Sequence, residues 1–295
     1  MAHTHSAAPT SLLIAALLIF TALTYLHGWI RIRKLGRETI AGWRATSFVT
    51  GLFLIGTAVA SPVAALDHEL LTAHMVQHLL LMTLAPACLL LGEPLFALSY
   101  ALPHLPRKSV AFRAFRWVPV ERLGKLLGQP VFCWMAATAT LVAWHIPALF
   151  TVGMRSEVWH ALEHVSFFVA GLLFWWPVIR PWPSAAGWPR WSTVLYLFLA
   201  TLPCDILSGF LVFCDRVVYT VYLLAPSRFG ISALEDQQRA AALMWTCVTL
   251  IYLVAAAIVA VRLLSVRSPE EKDLMRLKMP ATMTAGTGPQ SVEVV

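Results

Sequence analysis

The chain has 295 residues, of which 59% are hydrophobic and 13% are charged, with a mean hydropathy of +0.71. Because soluble domains carry about a quarter charged residues, this composition excludes an ordinary soluble protein and favours several membrane spans of roughly 17–25 apolar residues each. The net charge of +7 does not indicate a nucleic-acid partner, because the basic residues lie between apolar runs and form no aromatic-interleaved basic patch.

The apolar runs predict an all-α membrane protein, built as a bundle of seven transmembrane helices. The predicted spans lie near residues 11–30, 45–60, 72–92, 130–150, 157–179, 191–213 and 240–264. These spans and their loops make residues 1–268 a single membrane domain. Residues 269–295 are polar, so we expect a disordered cytoplasmic tail there.

The distribution of basic residues predicts how the bundle is oriented. Lys and Arg concentrate in the cytoplasmic segments of membrane proteins. If the N-terminus lies outside, 18 of the 22 Lys and Arg residues fall on the cytoplasmic side and 4 fall on the outer side. The sequence therefore predicts an outer N-terminus and a cytoplasmic C-terminus.

Three of the predicted spans carry histidines in their outer halves. His74 and His78 belong to the third span, His145 to the fourth, and His160 and His164 to the fifth. At a rise of about 1.5 Å per residue, His78, His145 and His164 each lie roughly 9 to 10 Å below the outer end of their span. The other two lie one turn higher on the same helix faces, because residues four apart stack on a helix.

Such a group of histidines predicts a metal or haem site near the outer surface. A single histidine in a span is as often a structural hydrogen-bonding residue, but polar residues are costly in a bilayer and usually functional. Neutral imidazole is also the commonest metal ligand among side chains. Imidazoles with few carboxylates suit copper or zinc, and the sulfur side chains of Met75, Met154, Met244 and Cys214 favour Cu(I), although each alone is more often a packing residue.

Three further polar residues are candidates for an accessory role. Glu163 is placed to accept a hydrogen bond that fixes a histidine tautomer, and His68 lies in the loop before the third span. Asp205 lies deep in the sixth span, about 13 Å from its outer end, so it needs a partner. A metal ion, His145 and Ser208 are the candidate partners, beside a purely structural hydrogen bond.

Four segments resemble the polytopic CtaG family of cytochrome c oxidase assembly factors. They are HMVQHLLLMTLAPACLLLGEP, WHIPALF, EVWHALEHVSFFVAGLLFWWPVI and EDQQRAAALMW, and the likeness covers roughly residues 20–262. The resemblance implies a multi-pass protein of the bacterial cytoplasmic membrane that helps to mature a haem–copper oxidase through copper supply. It places the family's histidine motifs on His74, His78, His145, His160 and His164, and its loop motif on Asp236 and Gln237.

On this resemblance, the leading hypothesis is a copper-binding assembly factor without enzymatic activity. It would receive copper from periplasmic donor proteins and pass it to an oxidase subunit, with lipid around it and no nucleic-acid partner. Two alternatives use the same histidines: a bis-histidine haem protein for electron transfer, and a zinc-dependent intramembrane hydrolase in which Asp205 handles a proton. A copper transporter is disfavoured, because the candidate ligands stop in the outer third of the membrane and only Cys204 and Asp205 lie deeper.

Overall fold

The computed structural model describes residues 7–35, 41–101, 129–180, 189, 191–224 and 229–265. These residues are almost entirely helical and include no strand, which confirms the all-α fold class. The predicted polar tail, residues 269–295, lies outside the described ranges.

The described ranges contain eleven α-helices. They are α1 (Ala7–Lys34), α2 (Gly42–Ala60), α3 (Pro62–Ala65), α4 (Leu71–Leu79), α5 (Ala85–Leu91), α6 (Pro94–Ala101), α7 (Pro130–Trp144), α8 (Pro147–Arg155), α9 (Glu157–Ile179), α10 (Trp191–Phe213) and α11 (Ala233–Ser265). A π-helical segment, Leu80–Leu84, joins α4 to α5, and a 3-10 turn, Thr220–Leu224, lies between α10 and α11.

Six segments of the described chain are long and apolar enough to cross a bilayer. They are Ser11–Lys34, Gly42–Ala65, Leu71–Leu91, Glu157–Ile179, Trp191–Phe213 and Ala233–Ser265. A seventh span is present if α7 and α8, which meet at a bend of 76°, count as one. Many large apolar side chains face outward, among them Leu17, Phe53 and Leu250. A helical bundle with such a surface is a multi-pass membrane protein, because lipid, unlike water, solvates apolar side chains.

The fourth predicted span differs from the single helix expected near residues 130–150. The helix ends at Trp144, and α8 begins at Pro147. Proline has no backbone N–H, and its ring forces the preceding residue out of the helical conformation. Ile146 accordingly has φ −67° and ψ 124°. His145 is therefore the residue that caps the end of α7, and it does not lie in the middle of a straight helix.

The segment α4–π–α5 is the centre of the bundle. Two thirds of its residues are buried inside the protein, against about a tenth in α1. It packs against α2, α9 and α11. Gly171 of α9 permits the closest approach, because a Cβ at this position would lie 2.4 Å from the carbonyl oxygen of Met82 in the π segment.

Candidate metal centre

The interface between α4 and α9 brings four imidazoles together. Each helix contributes two histidines one turn apart, and their ring centroids are separated by 4.2 Å for His74 and His78 and by 4.3 Å for His160 and His164. Across the interface, the centroids of His74 and His160 are 5.6 Å apart, and those of His78 and His164 are 6.0 Å apart. The stacking of residues i and i+4 thus presents two histidine pairs to each other.

Glu163 lies at the centre of this group. Its Oε1 is 3.4 Å from Nε2 of His74 and 3.3 Å from Nε2 of His78. The ligand atoms of the three residues all lie within 4.8 Å of one another, and all three side chains are buried. Gly153 of α8 packs over the carboxylate, since a Cβ there would lie 3.0 Å from Oε2. Glu163 is more central than the accessory role expected from the sequence.

His145 reaches the same group from the end of α7. Its ring centroid is 6.3 Å from that of His78, and its Nδ1 lies 2.8 Å from the carbonyl oxygen of Leu141. The hydrogen bond to a carbonyl requires a proton on Nδ1, so Nε2 carries the free lone pair. A backbone carbonyl that fixes the tautomer in this way is typical of metal-binding histidines.

Unpaired polar atoms concentrate in this cluster. Buried atoms without a hydrogen-bond partner in the described structure include both ring nitrogens of His74 and His78, both carboxylate oxygens of Glu163, and Nε2 of His145, His160 and His164. Buried polar groups are nearly always paired, and each orphaned group costs about 1–3 kcal/mol. The unpaired atoms of His74, His78 and Glu163 lie within 4.8 Å of one another, an arrangement that fits a bound cation.

A second group of ligand atoms lies beside the first. It consists of Asp67, His68 and His160, whose ligand atoms also lie within 4.8 Å of one another. His160 is the neighbour of both groups, because its ring stacks on that of His74 with an interplanar angle of 14°. His68, whose part in the site was left open by the sequence, therefore stands at the periphery of the cluster.

A cavity of about 40 Å³ is lined by His78 and His145 together with residues of α7, α9, α10 and α11. This volume is room for about three water molecules. Four sulfur side chains also line it: Met75, Met82, Cys204 and Met244. Met82 was not among the residues predicted from the sequence. Its spacing could have indicated it, because Met82 comes four residues after His78 and seven after Met75, and such residues share one helix face.

Asp205 lies outside both ligand groups. Its Oδ1 accepts a hydrogen bond of 2.9 Å from the hydroxyl of Thr249 in α11. The sequence suggested His145 or Ser208 as its partner, and the partner is Thr249 instead. The pairing depends on how α10 and α11 are rotated against each other. Met154 and Cys214 also lie outside the lining of the cavity.

Asp236 and Gln237, the residues of the family's loop motif, lie near the start of α11, and Asp236 holds the third span in place. The carboxylate of Asp236 accepts hydrogen bonds from the amides of Leu71 (2.6 Å) and Thr72 (3.2 Å) and from the Thr72 hydroxyl (2.6 Å). A carboxylate at a helix N-terminus satisfies free amides and interacts favourably with the helix dipole. Gln237 binds the preceding loop, accepting from the amide of Val218 at 2.7 Å. Asp236 thus positions the helix that carries His74 and His78.

Two tyrosines in and beside the 3-10 turn hold the backbone of two candidate ligands. The hydroxyl of Tyr219 donates to the carbonyl of His145 at 3.1 Å, and that of Tyr222 donates to the carbonyl of Asp67 at 2.6 Å. Burial raises the pKa of both Tyr219 and Tyr222 above the usual value, so both hydroxyls stay protonated donors. The sequence offered no periodic signal for either residue, since both lie outside the spans.

Comparison with known proteins finds mycobacterial relatives of this chain. Uncharacterised proteins of Mycobacterium bovis and Mycobacterium tuberculosis are each 25% identical to this chain over 255 residues, covering 84% of the chain and 38% of the relative. An uncharacterised protein of Mycobacterium leprae is 24% identical over 204 residues, covering 67% of the chain and 30% of the relative. The chain thus spans well under half the length of these curated relatives. No solved structure matches it significantly.

The family comparison covers most of the chain. Residues 23–265 match the family described as cytochrome c oxidase caa3 assembly factor. This range includes every helix that contributes to the two ligand groups. The match confirms the resemblance seen in the sequence, and the chain belongs to the cytochrome c oxidase caa3 assembly factor family.

Proposed function

We propose that this assembly factor binds one copper ion in the buried histidine cluster and supplies it to a haem–copper oxidase during assembly, without catalysing covalent chemistry. Membership of the family supports the oxidase as its partner. The observation that carries the copper proposal is the buried carboxylate of Glu163 beside His74 and His78, in a cluster whose five imidazoles each leave a ring nitrogen unpaired among the described residues.

His74, His78 and Glu163 are the proposed primary ligands, because their ligand atoms lie closest together. His145 is the next candidate, since its hydrogen bond to Leu141 leaves Nε2 available. His164 completes the surroundings of His78. Depth along straight helices had ranked His78, His145 and His164 first, whereas the distances favour His74 and Glu163 beside His78.

Charge and ligand softness both support Cu(I). A monovalent ion, one carboxylate and neutral imidazoles form an electrically neutral unit, whereas a divalent ion would leave a buried positive charge. An uncompensated buried charge is costly. The sulfur atoms of Met75, Met82, Cys204 and Met244 line the cavity next to His78, and thioether and thiolate ligands select Cu(I).

The route of the metal follows from the proposed orientation. His74 lies in the first turn of α4 and His160 in the first turn of α9, and the distribution of basic residues puts both helix starts on the outer side. In a bacterial cytoplasmic membrane, copper from periplasmic donor proteins would reach His160 and His74 first. Transfer would then follow to an oxidase subunit docked at this surface.

One alternative has a specific observation in its favour. Two histidines and one glutamate are also a ligand set of catalytic zinc sites, and the triad His74, His78 and Glu163 has this composition. A haem group is disfavoured by space, because a cavity of about 40 Å³ is far smaller than a porphyrin.

Complementation tests the proposal in cells. A host whose own gene for this protein is deleted should regain cytochrome c oxidase activity and the oxidase copper content when the wild-type chain is expressed. The double variant His74→Ala/His78→Ala should restore neither, at equal membrane abundance. His27→Ala is the matched control, because this exposed histidine of α1 lies outside both ligand groups. Full activity with the double variant would refute the proposal.

A further inference from the structure

We propose that the protein carries a second metal site, made by Asp67, His68 and His160, which takes a divalent transition-metal cation. It shares no ligand with the buried triad His74, His78 and Glu163. The inference extends the proposed function. His160 also lies on the proposed route of copper, but Asp67 and His68 do not, so variants of these two residues let either proposal fail without the other.

The geometry gathers three donors around one point. The carboxylate of Asp67 presents one oxygen to each imidazole: Oδ1 lies 3.7 Å from Nε2 of His68, and Oδ2 lies 3.6 Å from Nε2 of His160. Both distances are too long for hydrogen bonds. Oδ1 of Asp67 and Nε2 of His160 are buried without a hydrogen-bond partner in the described ranges. The side chain of Asp67 is 5% exposed, and a buried carboxylate that faces two imidazoles and has an unpaired oxygen is a ligand set for a cation.

The protein holds these donors from two directions. Asp67 lies in the short segment 66–70 between α3 and α4, where the amide of Leu70 donates to the carbonyl of Leu66 at 2.8 Å. Tyr222 fixes the same segment by its hydrogen bond to the carbonyl of Asp67. His160 belongs to the first turn of α9. A cation at this site would fasten the segment to the start of α9.

The two sites differ in charge, donor type and access to solvent. The triad is buried and adjoins a cavity lined by sulfur atoms. The site of Asp67, His68 and His160, called the outer site below, has one carboxylate, two imidazoles and no sulfur ligand. Carboxylate and imidazole together suit Zn(II), Cu(II) and Fe(II). The side chain of His68 is 59% exposed, so water can reach the site and complete the coordination of a dication. Solvent also screens the extra positive charge, which it cannot do at the triad.

Metal titration of the full-length protein in detergent separates the two sites. The probes are Zn(II), and Cu(I) under anaerobic, reducing conditions. We expect His68→Ala to raise the dissociation constant of one Zn(II) ion at least about tenfold, the scale seen for even indirect ligand changes, and to leave Cu(I) affinity unchanged. Asp67→Asn should do the same. Glu163→Gln should weaken Cu(I) binding and retain the outer Zn(II) ion.

The controls exclude trivial explanations. Glu157→Gln removes an exposed carboxylate one turn before His160, so it should change neither affinity. His68 is exposed, so its alanine variant is expected to fold; an unfolding temperature equal to that of the wild type without metal checks this. Unchanged Zn(II) binding in His68→Ala and Asp67→Asn overturns the inference. Equal loss of Cu(I) and Zn(II) in these variants also overturns it, because it indicates one shared site. If the wild type binds no Cu(I) but loses Zn(II) on His68→Ala, the inference stands and the copper proposal fails.

Discussion

Oε1 of Glu163 lies 3.3 Å from Nε2 of His78 across the interface between α4 and α9, and both groups are buried. Within the described part of the chain, the two carboxylate oxygens of Glu163 and the two ring nitrogens of His78 make no hydrogen bond. A carboxylate and an imidazole held so close and left unpaired are arranged for a third group between them, and we propose that this group is copper.

The first prediction concerns the charge of Glu163. Glu163→Gln keeps the shape of the side chain and removes its negative charge, so copper affinity should fall at least about tenfold. Unfolding of the metal-free protein should be no easier, because the wild-type carboxylate is itself buried without a partner. Thermal unfolding with and without Cu(I) measures both effects. Copper present at one hundred times the dissociation constant stabilises the wild type by about 2.7 kcal/mol, and this stabilisation should largely disappear in the variant. An equal copper-dependent shift in both proteins would contradict the assignment of Glu163 as a ligand.

The second prediction concerns the support of α4 by Asp236. Asp236→Ala removes the acceptor for the amides of Leu71 and Thr72, which should destabilise the protein by about 1–3 kcal/mol. Copper affinity should fall as well, although Asp236 belongs to neither ligand group. The neighbouring Glu235→Ala is the matched control, because the Glu235 side chain makes an exposed ion pair with Arg239, and such a pair is worth little. Equal unfolding temperatures for the two variants would refute this role.

The third prediction tests the contact between α9 and the π segment. Gly171→Ala places a methyl group 2.4 Å from the carbonyl oxygen of Met82, so the two helices must separate. Overpacking of this kind typically costs about 1–3 kcal/mol, and the histidine pairs on these helices should bind copper more weakly. Gly209→Ala is the control, since its nearest neighbour, Trp245, would be 3.9 Å away. An alanine at residue 171 that unfolds like the control would show that the approach of the helices is not tight.

The fourth prediction tests whether sulfur selects the oxidation state. Met82→Leu combined with Met244→Leu preserves the volume of the cavity lining, and such exchanges usually cost less than about 1.5 kcal/mol. Because thioethers favour Cu(I), Cu(I) affinity should fall while Zn(II) affinity stays the same. Met135→Leu, on the exposed face of α7, should change neither. A Cu(I) affinity unaffected by the double variant would show that neither of these two thioethers contributes to copper binding.

The sequence predicted the parts of this architecture that depend on local patterns. α9 and α10 begin and end where the apolar runs that predicted them do. A uniform apolar run of this length, bounded by polar residues, predicts one membrane-spanning helix. The pairing of His74 with His78 and of His160 with His164 follows from helical periodicity alone.

Features that depend on helix rotation and tertiary packing were not predictable. Glu163 and His164 are adjacent in sequence, and their side chains point in directions about 100° apart around α9. The rotation of α9 therefore decides which of these two side chains lies nearer to His78. The 76° bend between α7 and α8 puts His145 at the end of α7, which the prediction of one straight fourth span did not include. The pairing of Asp205 with Thr249 of another helix also depends on helix rotation.

Copper analysis of the purified protein tests the central claim most directly. Wild-type, His78→Ala and His27→Ala proteins are purified in detergent, loaded anaerobically with Cu(I), freed of excess metal and measured for copper and zinc per chain. We predict one Cu(I) in the wild type and in His27→Ala, and its loss from His78→Ala while the helical circular dichroism is unchanged. A wild-type protein that retains no copper, or copper retained equally in His78→Ala, would contradict the account.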